Sequence, residues 1–286
     1  MGRRVVPARR TVRARAPGER RHASVREEAI PLTELRARRL ADCRLTPDRK
    51  LRTLDDALGF LADRYLLTLT QDCSLPSLFA ATHEEAYDAT QKGFAAWPKT
   101  KWSWGGEIAQ KENVFETKLH RGKTLFLSPE GARAADPLCR AALALADAGE
   151  DDSARLARHL KAAGPSTVED LKRELGLEAG ALRRIREGLE REGALVSHGI
   201  SVEDSKGGHR HSSLLSRWDQ VWRKPWKATE EVALDELVVL GVRAAVVTHE
   251  DEVRTWFTWP VSRPQINALV ASGRLARPAS GWLSLP

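Results

Sequence analysis

Trp97, Trp102 and Trp104, followed by Glu107 and then Lys118, Arg121 and Lys123, concentrate aromatic and ionic side chains in one stretch of the 286-residue chain. Such a set suits nucleic acid. Aromatic rings stack on an unpaired base, basic groups hold its phosphates, and an acid such as Glu107 positions water or stabilises a cationic sugar. The other reading is that the indoles fill a core between helices while lysine and arginine solvate the surface, and the residues alone leave both open. A second basic set, Arg183, Arg184, Arg186 and Arg191, falls on a segment with helical spacing, and a third runs from Lys206 and Arg210 through Arg217, Arg223 and Lys224 to Lys227. In Gly208-His209-Arg210-His211 two histidines stand without a cysteine or carboxylate at ligand spacing, so solvated side chains and no metal are expected. The phosphate-binding glycine loops and the Gly-x-Ser-x-Gly and His-Glu-x-x-His patterns are missing, and no cofactor is expected.

The elements that must position these groups are legible in places. Residues 30–40 and 53–65 carry apolar residues at helical spacing, the second opened by Thr53 with Asp55 and Asp56 in its first turn. Residues 66–70 alternate as a strand, 82–94 read as a helix, 97–106 as an irregular loop, 112–120 as a helix, 123–127 as a strand and 128–148 as one or two helices. The acidic Gly149-Glu150-Asp151-Asp152 marks a boundary. Beyond it a helix at 155–162 ends at Gly164-Pro165, a capping box beginning at Ser166 opens a helix to Leu175, and a third helix spans 179–192 before Gly193. A strand at 194–198, a polar loop and a returning segment through Trp218 complete the order helix, helix, helix, strand, wing, strand. That is the winged-helix order, whose third helix enters the major groove while the wing meets flanking phosphates. Three acids on the third helix, Glu187, Glu190 and Glu192, support the alternative of a protein-contact module. A weaker copy closes the chain, with helices at 229–247, 248–256 and 262–272 and a hairpin at 274–285.

Charge is unevenly spread. The formal charge is +7, and residues 1–25 hold eight arginines against Glu19 alone, so the remaining chain is neutral. The first 25 residues read as a disordered arm able to neutralise phosphates, or as an extension without a role, with a transit peptide a further alternative. The longest apolar run, 232–247, contains Asp235, Glu236 and Arg243, which excludes a membrane span there. Cys43, Cys73 and Cys139 form no paired pattern, so neither disulfides nor zinc are expected.

Leu-Pro-Ser-Leu-Phe at 75–79, Trp-Ser-Trp-Gly-Gly-Glu-Ile at 102–108 and Phe-Glu-Thr-Lys-Leu-His-Arg-Gly-Lys-Thr-Leu-Phe-Leu-Ser at 115–128, followed by the winged helix at 153–222, resemble a divergent branch of the AlkZ/YcaQ family of tandem winged-helix proteins. The resemblance covers roughly residues 30–285. It implies binding to duplex DNA and excision of alkylated or crosslinked bases. It also implies a catalytic Gln-x-Gln or Gln-x-Asp pair, whose matching positions here are Thr68 and Thr70, so the pair is not carried over. Gln71 and Asp72 follow directly. Being adjacent, they are expected on opposite faces of a strand.

The expected architecture is mainly α with small β-hairpins (α+β), built from tandem winged-helix domains. The division is a tail at 1–28, a helical or winged-helix-like domain at 29–150, a winged helix at 151–227 and a winged-helix-like domain at 228–286. The expected function is DNA binding tied to base-damage repair, with hydrolysis of a damaged base's N-glycosidic bond left open; the alternative is a non-enzymatic transcriptional regulator. Candidate catalytic residues are Gln71, Asp72 and Glu107. Candidate DNA contacts are Arg183, Arg184, Arg186, Lys206, Arg210, Lys118, Arg121, Lys123, Trp102 and Trp104. The expected partner is double-stranded DNA, damaged or intact, without membrane or metal, in a bacterial cytoplasm close to the nucleoid.

Overall fold

The computed structural model describes residues 30–203 and 209–286. The arginine-rich tail and Lys206 lie outside the described residues. Helices α1 (Leu32–Asp42) and α2 (Leu54–Arg64) are followed by β1 (Leu66–Thr68), α3 (Trp104–Ala109), β2 (Phe115–His120) and β3 (Lys123–Leu127). Then come α4 (Pro129–Ala148), α5 (Asp152–Ala163), β4 (Ser166–Thr167), α6 (Val168–Leu175), α7 (Ala179–Glu192), β5 (Leu195–Glu203), β6 (His209–Arg217) and α8 (Trp218–Val221). The chain closes with α9 (Glu230–Ala245), β7 (Val247–His249), α10 (Glu250–Val253), α11 (Arg263–Ala271), β8 (Ala276–Ala279) and β9 (Trp282–Ser284).

The strands form three antiparallel sheets with the same internal order, first, third, second: β1-β3-β2, β4-β6-β5 and β7-β9-β8. In each, a helix precedes the first strand, further helices separate it from the second, and a hairpin returns the third between them. This is an α+β fold of tandem winged helices. Among the described residues, no helix is long and apolar enough to cross a membrane.

Capping sets several helix starts. Thr53 and Asp56 exchange the reciprocal bonds of a capping box at α2, while Ser128, Asp151, Thr167, Thr229 and Ser262 each accept a backbone N–H at the start of their helices. The cap of α6 is Thr167, one residue later than the sequence reading placed it: the Thr167 hydroxyl accepts from the Asp170 N–H, while the Ser166 hydroxyl donates back to Gly164 O. Gly193 ends α7 in the left-handed region at φ 86°, and a Cβ there would stand 2.6 Å from Cys139 Sγ.

Helix α4 ties the molecule together. Its buried face, including Ala135, Leu138 and Cys139, packs into a core shared with α9 and β3, and Leu143 joins the separate core beneath α7. Asp136 on the same helix is fully buried and accepts from Trp218 Nε1 at 2.8 Å, the Trp226 N–H at 2.8 Å and Arg140 Nε at 2.7 Å. A third core, with Phe60, Leu67, Leu78 and Phe126, lies under the first sheet.

Three expectations are corrected. Residues 82–94 are not a helix, because polar side chains take the backbone elsewhere: Asp88 accepts from Thr90 N, Glu84 binds the backbone of Thr100 and Lys101, and Gly93 turns at φ 72°. Residues 115–120 are strand β2 rather than helix, since Asn113 at φ 64° breaks any helical run and the segment pairs with β3. The helix expected at 248–256 is the single turn α10, because Val247–His249 is drawn into the third sheet.

Candidate active cleft and nucleic-acid interface

Where β1 ends, the chain turns instead of continuing as a strand, with Asp72 N–H bonded to Thr70 O at 3.0 Å. Thr70, Gln71 and Asp72 therefore all line one cleft, of about 660 Å³, closed on other sides by Phe79, Glu84, Gln91, Lys92, Trp97, Lys123 and Thr124. The expectation that Gln71 and Asp72 face opposite ways fails for this reason. Thr68, by contrast, is buried, and its hydroxyl donates to Pro76 O.

Asp72 is held on both oxygens. Thr70 Oγ1 donates to Oδ2 at 2.7 Å, and Lys123 Nζ pairs with Oδ1 at 2.8 Å. Burial works against its charge, but the bonds from Lys123 and Thr70 and the Lys123 charge outweigh burial and hold the carboxyl below the ordinary range. Asp72 is thus a fixed anion at neutral pH and a weak base.

A second cleft carboxylate, Glu84, was hidden by the mistaken helix. It accepts from Thr100 Oγ1 and Lys101 Nζ, each at 2.7 Å, and from the backbone N–H groups of Thr100 at 2.7 Å and Lys101 at 2.9 Å. Burial opposes the charge, and these bonds overcome it, bringing the carboxyl down to about 2. With its acceptors taken, Glu84 pins residues 84–101 over the cleft.

The aromatic residues divide between the two readings. Trp104 packs against the core under the first sheet, with Lys101 Nζ 5.5 Å from its ring centroid. Trp97 sits 5.3 Å from Phe79 and 5.2 Å from Phe94. Phe94 continues outward to Trp102 at 5.4 Å and Tyr87 at 5.3 Å, and these last three rings are exposed. A ladder of rings therefore runs from the cleft wall to the surface. Glu107 lies outside this cleft lining, on the exposed side of α3, where it accepts from the Ser103 hydroxyl.

Across the β2–β3 hairpin is a second recess, of about 400 Å³, lined by Lys118, Arg121, Gly122, Arg186, Glu187, Gly188, Glu190 and Arg191. Arg121 at φ 54° and Gly122 at φ 89° are the two central residues of the hairpin turn, which puts Arg121 at its tip. Lys118 is held by Thr124 Oγ1 at 2.7 Å and Glu116 at 3.3 Å, so the hairpin joins recess and cleft. On α7, Arg183 and Arg184 are exposed, Arg183 pairing with Glu187 at 2.7 Å, while Arg186 lies 3.5 Å from Glu190. Burial pushes the Glu190 carboxyl up, against the opposing pull of a Ser197 hydrogen bond and the Arg186 charge.

The third basic set is partly structural. Arg217 is buried and forks onto Asp147 at 2.7 Å and Asp219 at 3.0 Å, so it is no phosphate contact. Arg210 stands on β6 opposite Val202, and Lys206 falls outside the described residues. Sequence reasoning missed Glu84, Gln91 and Lys92 as lining residues, and it counted Arg191 in the basic set of the third helix without placing it among the DNA contacts.

Three like-ordered sheets, a basic third helix and an aromatic-walled cleft with a fixed anion define a tandem winged-helix protein. The family model for AlkZ-like DNA glycosylases matches residues 106–280, and the chain belongs to that family. The match includes both recess walls and leaves Thr70–Asp72 outside it. A solved structure, the DNA glycosylase AlkZ of Streptomyces sahachiroi, shares 14% identity and superimposes with a TM-score of 0.46 over 85% of this chain and 65% of that one. The chain therefore spans about 65% of that glycosylase's length. No curated protein matches the sequence.

Proposed function

We propose that the protein binds duplex DNA and hydrolyses the N-glycosidic bond of a damaged base seated in the cleft. The carrying observation is Asp72, a carboxylate kept ionised by Lys123 and Thr70 beside Gln71 in an aromatic-walled cleft. Membership of a glycosylase-like family favours repair over the regulator alternative.

The chemistry follows from the protonation state. An alkylated purine is already cationic and leaves with the glycosidic electron pair as a neutral base, so no general acid is required. As the bond to C1′ breaks, positive charge spreads over the sugar, and the fixed Asp72 anion stabilises it. Water adds its oxygen to C1′ and releases a proton to solvent, with the Gln71 amide as its orienting group. Trp97 and Phe79 offer faces on which an extruded base can stack. Lys123 acts on Asp72 rather than as a simple phosphate contact, and Glu107 has no part in this cleft.

DNA contacts are assigned to Arg183, Arg184 and Arg186 on α7, Lys118 and Arg121 at the hairpin, Arg210 on β6, and Trp102 on the exposed ring ladder, with Trp104 beside the core and Lys206, outside the described residues, as further candidates. The three folding units are taken as 29–150, 151–227 and 228–286, a division supported by one complete sheet in each. The test is incubation of the protein with alkylated and undamaged duplexes, measuring affinity and abasic-site formation together. Damage-dependent abasic sites are expected; tight binding to both duplexes without any abasic product would overturn the reading.

A further inference from the structure

The recess across the hairpin differs from a general phosphate-binding surface in one respect: it contains a buried carboxylate. Lys118, Arg121, Arg186 and Arg191 come together from two winged-helix units, and Glu187 is already neutralised by Arg183. Glu190 is 4% exposed, and its Oε1 has no hydrogen-bond partner among the described residues. Arg186 Nε forms an ion pair with that oxygen at 3.5 Å, too long for a hydrogen bond, and Nε has no hydrogen-bond partner among the described residues. A buried acceptor without a donor is costly, and the cost is relieved when a ligand supplies the hydrogen.

With Lys118 set against Glu116 and Arg186 against Glu190, the further charges of Arg121 and Arg191 call for an oxyanion. A carboxylate oxygen against an oxyanion repels it unless a proton lies between them. A phosphodiester carries no such proton. Hydrogen phosphate does, and a phosphomonoester does in its monoanion, whose second pKa is about 6.

We propose that this recess binds a terminal phosphate group, either a phosphomonoester or free hydrogen phosphate, and selects it from an internal diester through a P–O–H bond donated to Glu190. Arg121 and Arg191, both exposed, are positioned to engage the remaining oxygens, with Lys118 and Arg186 behind them. The site is separate from the Asp72 cleft, and its occupancy does not depend on catalysis there.

Calorimetric titration of the full chain at about pH 7 with inorganic phosphate and with sulfate, ions of the same shape that differ in their proton, tests the proposal. Phosphate is expected to bind about tenfold more tightly or better, the worth of one hydrogen bond to a charged group. Glu190→Gln, whose amide donates as well as accepts, is expected to erase that preference by strengthening sulfate, with an unchanged melting temperature as the control for folding. A parallel arm compares nicked duplexes with and without a 5′-phosphate. Preference for the phosphorylated nick assigns the ligand to a broken strand end, whereas phosphate selectivity without nick discrimination assigns it to the free anion. Equal affinity for phosphate and sulfate in the unaltered protein, or no binding of either, overturns the proposal whatever the abasic-site assay returns.

Discussion

At the residue scale, two carboxylates in one cleft have different tasks because their partners differ. Asp72 is held by a lysine and a hydroxyl at the floor, and Glu84 by four donors at the wall. Removing the Lys123 charge leaves burial of Asp72 less opposed, so its carboxyl should protonate at higher pH. The Lys123→Ala variant is accordingly expected to show an acid limb of glycosidic cleavage displaced upward from that of the unaltered protein. A pH–rate profile whose acid limb does not move would remove Lys123 from this role. Glu84 makes the opposite kind of statement about stability. Its folded pKa, about 2, lies below the ordinary value of 4.5, so its contribution is present above the ordinary value and is lost as pH falls toward about 2. Fluorescence of Trp97 and Trp102 should report loosening of residues 84–101 in that window, and Glu84→Gln should show the loosened signal already at neutral pH.

At the element scale, α4 and the end of α7 carry the packing. Asp136→Ala removes the buried acceptor shared by Trp218 Nε1, the Trp226 N–H and Arg140 Nε and should cost about 3–5 kcal/mol in chemical denaturation, the range for breaking a buried charged network. Gly193→Ala combines a left-handed backbone with a Cβ 2.6 Å from Cys139 Sγ, in a well-packed core where overpacking typically costs about 1–3 kcal/mol. A stability loss under about 0.5 kcal/mol for either would show that the core relaxes around the change. Legibility in the sequence varied with the kind of force involved. The α7 boundaries were readable because apolar spacing and a terminal glycine act locally. The strand at 115–120 was not, since its pairing with β3 overrode the helical reading, and the loop at 82–94 was lost because its geometry rests on Glu84 reaching forward to Thr100 and Lys101. Adjacent Gln71 and Asp72 were found by type, but their shared cleft depends on where β1 stops.

At the scale of the whole molecule, the tandem winged-helix fold places the aromatic cleft and the basic recess along one hairpin, β2–β3. The positioned cations belong to the folded units, so removing residues 1–25 should leave duplex binding in place, with affinity falling steeply as salt rises. Binding that vanishes with the tail would move the DNA surface out of the folded part. The central claim is that the Asp72 anion stabilises charge at C1′, and single-turnover abasic-site release by Asp72→Asn, measured beside DNA affinity, tests it most directly. The expected result is a fall in release of about a hundredfold or more with affinity held, as when an interaction made in the transition state is removed. Release at the unaltered rate from the Asp72→Asn protein would contradict the claim.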